Sequence, residues 1–248
     1  MPENFALIPA RMGSERFPNK NIVELFGHPL IAHSIVSALD SGQFQSIIVS
    51  TDSAEIAEIA TKYGALVPQL RPAEIAQTSS PDYLWLRLAI DDWLQLENDQ
   101  KIAILRPTSP LRSPETIAKA LDAFSASEGF DSLRAIRRVK EHPSKMWRGS
   151  PGTEILPYDG STSEVTNAPV HSSPFQVLEE LWLQDASLEI ARVSSVRESK
   201  TISGNRVLGF ELPKFEGLDI NYPSDLSEIQ KVCSSHPELL PRLSRTPQ

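Results

Sequence analysis

Short aliphatic and β-branched runs alternate with amphipathic segments through the first 140 residues, and this rhythm more than any other feature limits the folds open to the chain. Phe5–Pro9, Ile47-Ile48-Val49 and Ile102-Ala103-Ile104-Leu105 are apolar runs closed by polar turns, the pattern of buried strands. Leu66-Val67 adds a short strand and residues 132–139 a longer one. Between them the 3.6-residue period predicts helices: Pro29 to Leu39, a segment capped by Asp52 with Glu55 reaching back, Ser80-Pro81 to about Leu96, and Ser113-Pro114 through Phe124. Strand and helix in regular succession build a mostly parallel sheet covered on both faces. The expected fold is α/β, a doubly wound, mostly parallel sheet.

With 248 residues the chain can form one large domain that carries a smaller extension. Apolar residues at 40% against 23% charged indicate an ordered protein. A net charge of −8 and a pI near 5.2 argue against a general binder of nucleic acid or anionic membrane. Any local cluster of cations therefore requires a local explanation. Cys233 stands alone, which excludes an internal disulfide and a cysteine zinc cluster, and the five histidines lack metal-ligand spacing. No run approaches the roughly 18 apolar residues needed to span a bilayer. The start, Met1-Pro2-Glu3-Asn4, has neither the basic stretch nor the apolar core of a secretory signal, so a cytoplasmic protein is expected.

Beyond residue 140 the rhythm breaks. Residues 141–187 are rich in Pro, Ser, Thr and Gly, with a helical patch around Gln176–Trp182 and too few apolar residues for a core of their own. This extension is expected to pack on something else, a second subunit being one candidate. Periodicity resumes at Leu188–Ala191, Val207–Phe210 and Leu218-Asp219-Ile220, with a last helix after Pro223 and a loosely ordered tail over 237–248. Residues 1–140 and 188–236 thus form the expected main domain.

Ligands of α/β sheets bind outside the carboxyl ends of the strands. Directly after the first strand comes Ala10-Arg11-Met12-Gly13-Ser14-Glu15-Arg16-Phe17-Pro18-Asn19-Lys20-Asn21, which sets two arginines and a lysine within ten residues beside small residues. Such a loop is suited to a polyanion, a nucleoside triphosphate being the natural occupant. After the third run, Arg106-Pro107-Thr108-Ser109-Pro110-Leu111-Arg112 presents hydroxyls and guanidiniums on a loop stiffened by two prolines, a form that loses little entropy on recognising a base or a sugar.

Four stretches together carry a family resemblance. Ile8-Pro9-Ala10-Arg11 with Ser14, Arg16, Pro18, Lys20 and Asn21, then Val49-Ser50-Thr51-Asp52, Arg71-Pro72 with Glu74-Ile75-Ala76, and Arg106–Arg112 resemble the acylneuraminate cytidylyltransferases. These are the CMP-sialic acid synthetases and their relatives for other nonulosonic acids, with the CMP-Kdo synthetases as cousins. The resemblance implies a nucleotide-diphospho-sugar transferase-like sheet with a dimerisation extension, and a reaction in which CTP and an acidic keto-sugar give a CMP-sugar and pyrophosphate. It implies that Arg11, Arg16 and Lys20 hold the triphosphate and the leaving pyrophosphate, that Ser14 also binds the nucleotide, that Asn21 contacts cytosine, and that Arg71, Ser79 and Ser80 meet the base or ribose. Arg106, Thr108, Ser109, Arg112, Lys145 and Gln176 fall on the substrate side. Arg11, Lys20 and Asp219 are the implied catalytic groups, and the implied cofactor is Mg2+, held by Asp219 and Asn221.

Three departures accompany the resemblance. The Asp-x-Asp metal pair of the family reads Asp219-Ile220-Asn221; two residues alternating along a strand share a face, but one anion is missing. Arg106 stands where glutamine is usual, which favours a more anionic or differently decorated sugar and makes Arg106 a candidate partner for the sugar carboxylate. Phe175-Gln176-Val177-Leu178-Glu179 stands where the family has Arg-Gln-x-Leu-Pro. A nucleotidyltransferase for a Kdo-like acid, or a nucleotide- or sugar-binding homologue of impaired turnover, are the alternative readings.

Overall fold

A computed structural model describes residues 3–240. The chain divides into two compact units, Met1–Ala135 with Asp185–Gln248, and Ile136–Gln184. In chain order the larger unit begins with β1 (Asn4–Pro9), a small hairpin of β2 (Glu24–Leu25) and β3 (His28–Pro29), α1 (Leu30–Ser41), β4 (Ser46–Ser50) and α2 (Ala54–Lys62). It continues with α3 (Asp82–Arg87), β5 (Lys101–Leu105), α4 (Pro114–Ala126) and the start of β6 (Ser132–Arg138). The smaller unit contains β7 (Trp147–Arg148), paired antiparallel with β8 (Leu156–Pro157). The chain re-enters the larger unit within β9 (Trp182–Arg192) and ends with α5 (Val193–Ser199), β10 (Val207–Glu211) and α6 (Pro223–Ser235).

The six main strands lie in the order β10-β6-β9-β5-β1-β4. β1 is flanked by β4 and β5, both parallel to it, whereas β9 runs antiparallel to β5. The crossover after β1 goes to one side and the crossover after β4 returns to the other. That reversal leaves a crevice at the carboxyl ends of β1 and β5, where ligands of such sheets bind.

Period-2 alternation within the strands separates two apolar layers. Ala6, Ile8, Val49, Ala103 and Leu105 face one layer with Ile31 and Ile35 of α1, Ile56 of α2 and Ile117 and Phe124 of α4. Phe5, Leu7, Ile48, Ile102 and Ile104 face the other with Trp85 and Leu86 of α3 and Val193 and Val196 of α5. Ile229 and Cys233 of α6 close a third cluster with Leu25, Leu30, Leu111 and Ile220.

Several local expectations are corrected. Ser53, not Asp52, caps α2, its hydroxyl accepting from the Ile56 amide at 3.3 Å. Asp52 instead accepts from the Met12 amide at 2.9 Å, because its side chain reaches the loop after β1 more readily than its own helix. Ser80 does not cap α3: the helix starts at Asp82 and continues as a π-helical segment over Leu88–Trp93, stopping short of Leu96. Leu66-Val67 is reduced to a single bridge from Leu66 to Ile48. The helical patch at Gln176–Trp182 is one 3-10 turn, Phe175–Val177, followed by β9, in keeping with Pro174 at its start and the β-forming Trp182. Leu218-Asp219-Ile220 belongs to no strand; the Ile220 amide instead donates to the Thr108 carbonyl at 2.9 Å. Of the expected loose tail, Pro237–Leu239 form a 3-10 turn and residues 241–248 lie outside the described residues.

The smaller unit holds few buried residues, and those it has are polar: His142, Ser144, Ser163 and Ser173. Several of its large apolar side chains stand exposed, Leu156 at 61% and Val165 at 75%, as the scarcity of apolar residues there predicts, while Leu178, Leu181 and Trp182 are half-buried. Among the described residues no helix is long and apolar enough to cross a membrane.

Candidate active site

A cavity of about 450 Å³ opens in the crevice between the ends of β1 and β5. Of the residues singled out in the sequence, Arg11, Ser14, Arg16, Lys20, Asn21, Arg71, Arg106, Thr108, Asp219 and Asn221 line it. They come from four separated stretches, and the fold brings them to one place.

The loop after β1 is tied down from within. The Asn21 side chain is buried and donates to the Arg11 carbonyl at 2.8 Å, while Asp52 holds the Met12 amide. Asn21 therefore braces the loop as well as lining the cavity. Neither the Arg11 guanidinium nor Lys20 Nζ has a hydrogen-bond or ion-pair partner among the described residues. Burial pushes the Lys20 ammonium below its ordinary pKa, and Arg16 and Arg11 push the same way against the pull of Asp219 and Asp225. Crowded cations of this kind become more favourable when an anion enters among them.

Arg71 is placed by the turn after β4. Its Nε donates to Ser50 Oγ at 3.1 Å, its Nη2 to the Ser50 carbonyl at 2.9 Å, and its guanidinium lies over the Trp85 ring. Burial lowers its pKa to about 10, with Asp52 and Asp82 opposing, so it remains cationic at neutral pH.

The wall formed by Arg106 is built differently. Arg106 Nη2 contacts Asp82 Oδ2 at 2.7 Å and Glu189 Oε1 at 3.1 Å; on the far side Arg134 Nη1 lies 2.5 Å from Glu189 Oε2. Glu189 is 1% exposed. Burial would lower the Arg106 pKa, yet Asp82 and Glu189 overcome it and leave the guanidinium above its ordinary value. For Asp82 burial acts upward, and Arg106 together with the Trp85 indole N–H brings the carboxyl below its ordinary value. Two anions and two cations thus neutralise one another, and Arg106 is not the open cation that its sequence context implies. Asp82 and Glu189 went unrecognised in the sequence. Glu189 had left a trace, as a charge inside the apolar run Leu188–Ala191.

Other expected residues lie elsewhere. Arg112 is fully buried, donating through Nη1 to the Ser187 carbonyl and through Nη2 to Ser34 Oγ at 2.9 Å. Burial lowers its pKa to about 10 against Glu216 and Asp185. It braces the chain beside Ala186, which does line the cavity, and offers nothing to a ligand. Ser109 is 1% exposed and does not line the cavity. Ser79 and Ser80 do not line it either; Thr78 does, donating to Glu15 Oε1 at 3.1 Å. Lys145 and Gln176 belong to the smaller unit. There Lys145 Nζ donates to the carbonyls of His171, at 2.9 Å, and Ser173, while Gln176 lines a separate cavity of about 340 Å³ with Phe175, Leu178 and Glu179.

The fit to a divalent cation rests on Asp219. Its Oδ1 is buried without a hydrogen-bond partner, whereas its Oδ2 accepts from Asn221 Nδ2 at 2.7 Å. No group of three or more His, Cys, Asp or Glu suited to a metal occurs among the described residues. The expected second ligand is corrected: Asn221 turns its Nδ2 to Asp219 and its Oδ1 to Arg16 Nη2 at 3.0 Å, because an amide beside both a carboxylate and a guanidinium donates to the first and accepts from the second. The single free oxygen of Asp219 fits an ion that takes its remaining ligands from phosphates and water, as Mg2+ does. The convergence of Arg11, Arg16 and Lys20 on one cavity suits a polyanionic phosphate ligand, whose chemistry is governed by positioning and charge neutralisation.

Comparison with known proteins finds relatives along most of the chain. The profile of a family described as Cytidylyltransferase matches residues 5–143. The chain is 45% identical over 243 residues to a CMP-N,N'-diacetyllegionaminic acid synthase of Legionella pneumophila, covering 95% of this chain and 98% of that protein. It is 38% identical over 127 residues to a pseudaminic acid cytidylyltransferase of Campylobacter jejuni, over 49% of this chain and 53% of that one. Among solved structures, a CMP:2-keto-3-deoxy-manno-octonic acid synthetase complexed with CTP superposes with a TM-score of 0.67 at 15% identity, covering 94% of this chain and 99% of that one, a likeness of fold.

Proposed function

The chain belongs to the cytidylyltransferase family, and on that footing we propose that it transfers CMP from CTP to a nonulosonic acid with release of pyrophosphate. The observation that carries the proposal is the convergence of Arg11, Arg16 and Lys20 with Asp219 on one cavity at the switch point of the sheet. The oxygen of the sugar's anomeric hydroxyl forms the new bond to the α-phosphorus as the bond to pyrophosphate breaks, and the hydroxyl proton is released to solvent. In this reading Arg11, Arg16 and Lys20 neutralise the triphosphate and the departing pyrophosphate, and Arg71 flanks the nucleoside. When bound, Mg2+ would screen the phosphates and polarise the α-phosphoryl group, with Asp219 Oδ1 as the protein atom suited to hold it.

The sugar is proposed to bear acylamino groups. Support comes from the Legionella relative, similar along nearly its whole length, and from the charge-compensated Asp82–Arg106 pair, whose acceptor and donor edges complement a neutral amide better than a second carboxylate. Exposed Leu156 and Val165 support a homodimer formed through the smaller unit. Dependence on CTP fits a cytoplasmic enzyme.

The test is release of pyrophosphate from CTP and Mg2+ with a panel of keto-sugar acids that includes diacylamino nonulosonic acids and a Kdo-like acid. Turnover is expected only with the nonulosonic acids. Absence of release with every sugar, despite CTP binding, would overturn the catalytic reading, and preference for the Kdo-like acid would overturn the substrate class.

A further inference from the structure

Asn221 has both ends of its amide engaged across the cavity. Its Oδ1 accepts from Arg16 Nη2 at 3.0 Å and its Nδ2 donates to Asp219 Oδ2 at 2.7 Å. The backbone that carries it is fixed as well: the amides of Asn221 and Tyr222 both donate to Asp225 Oδ2 at 2.8 Å, within the capping box that opens α6. Arg16, an exposed residue, also lies over the Tyr222 ring. An ionised carboxylate at position 221 could perform only half of this task. It could accept from Arg16, but it would have no proton for Asp219 and would set two anions against each other. An amide donates and accepts at once. The arrangement spends Oδ2 of Asp219 on the amide and leaves the buried Oδ1 without a partner.

We propose that Asn221 is a positioning residue that ties Arg16 to Asp219, and so assembles the triphosphate cradle before any divalent cation arrives. The proposal rests on the nucleotide reading above. An exposed arginine loses rotamer freedom when it clamps a phosphate, and restraining it beforehand removes part of that loss. Asn221 thereby exchanges affinity for the metal, which a second carboxylate would raise, for affinity for the nucleotide alone.

The experiment measures CTP binding by calorimetry, first in EDTA and then across a Mg2+ titration, for the unsubstituted protein and for Asn221→Asp, Asn221→Ala, Arg16→Ala and the Arg16→Ala/Asn221→Ala double variant. Asn221→Asp is expected to weaken metal-free CTP binding by at least about fivefold, the scale of one hydrogen bond, while lowering the Mg2+ concentration that half-restores affinity. These opposite signs are not what simple damage to the fold would produce. Asn221→Ala should weaken metal-free binding similarly on its own and add nothing on the Arg16→Ala background. Metal-free binding within about twofold of the unsubstituted protein in both Asn221 variants, or a full Asn221→Ala effect without Arg16, overturns the bridge. If Asn221→Ala does not fold, Asn221→Ser takes its place in the cycle. Failure of the unsubstituted protein to bind CTP at all would overturn the nucleotide reading instead.

Discussion

Two arginine-bearing loops border the same cavity and are built in opposite ways. After β1, the side chains of Arg11 and Lys20 have no partners among the described residues, and Lys20 is held below its ordinary pKa by burial and by neighbouring cations. After β5, Arg106 touches Asp82 and Glu189, and Arg134 balances Glu189 from the other side. The first loop has positive charge to offer a ligand. The second has shape and hydrogen bonds to offer, because its charge is already matched. A count of basic residues treats the two alike; only the partners separate them.

The largest effect that could collapse this contrast is expected at Lys20. Lys20→Ala should reduce turnover by on the order of a thousandfold, about 4 kcal/mol of transition-state stabilisation, with the melting temperature little changed. A tenfold loss or less would mean that the loop is not poised for the developing charge. In the second loop the dominant effect should fall on stability. Glu189→Ala leaves Arg106 and Arg134 without their shared buried anion and should cost about 3 kcal/mol in denaturant unfolding. A near-neutral result would show that the wall is not electrostatically closed.

The smallest effect concerns pH. The folded-state pKa of Asp82 lies below its ordinary value of 3.8, so its contribution to stability is present above that value and is lost as the pH falls through the lower one. Because Asp82 is partly exposed, with 39% of its side chain accessible, the advantage over Asp82→Asn should not exceed about 1 kcal/mol. It should be flat above about pH 5 and vanish on further acidification. An advantage that grows below pH 4 would reverse the sign and refute the pairing.

Much of the frame was legible in the residues. The runs Phe5–Pro9, Ile47–Val49 and Ile102–Leu105 became the adjacent parallel strands β1, β4 and β5, and Ser113-Pro114 opens α4 with Ser113 as its cap. Neither the helical patch that the local pattern predicts at Gln176 nor the strand it predicts at Asp219 forms, since short segments take their conformation from what they dock against; for residues 218–220 that is the carbonyl of Thr108. Of the site, the cations were visible but their availability was not. Arg112 reads like Arg106 and Arg11, yet it is enclosed by Ser34 and Ser187.

The division follows from sequence distance. Period and capping are relations among residues a few positions apart, so the chain carries them openly and they define an α/β sheet with a cationic loop at its switch point. Charge compensation links distant residues. Arg106 meets its anions 24 positions before and 83 positions after it, and Asn221 meets Arg16 across 205. Folding alone brings such partners within hydrogen-bond reach, and it thereby determined which arginines remain free to receive a ligand and which were already spent on the protein itself.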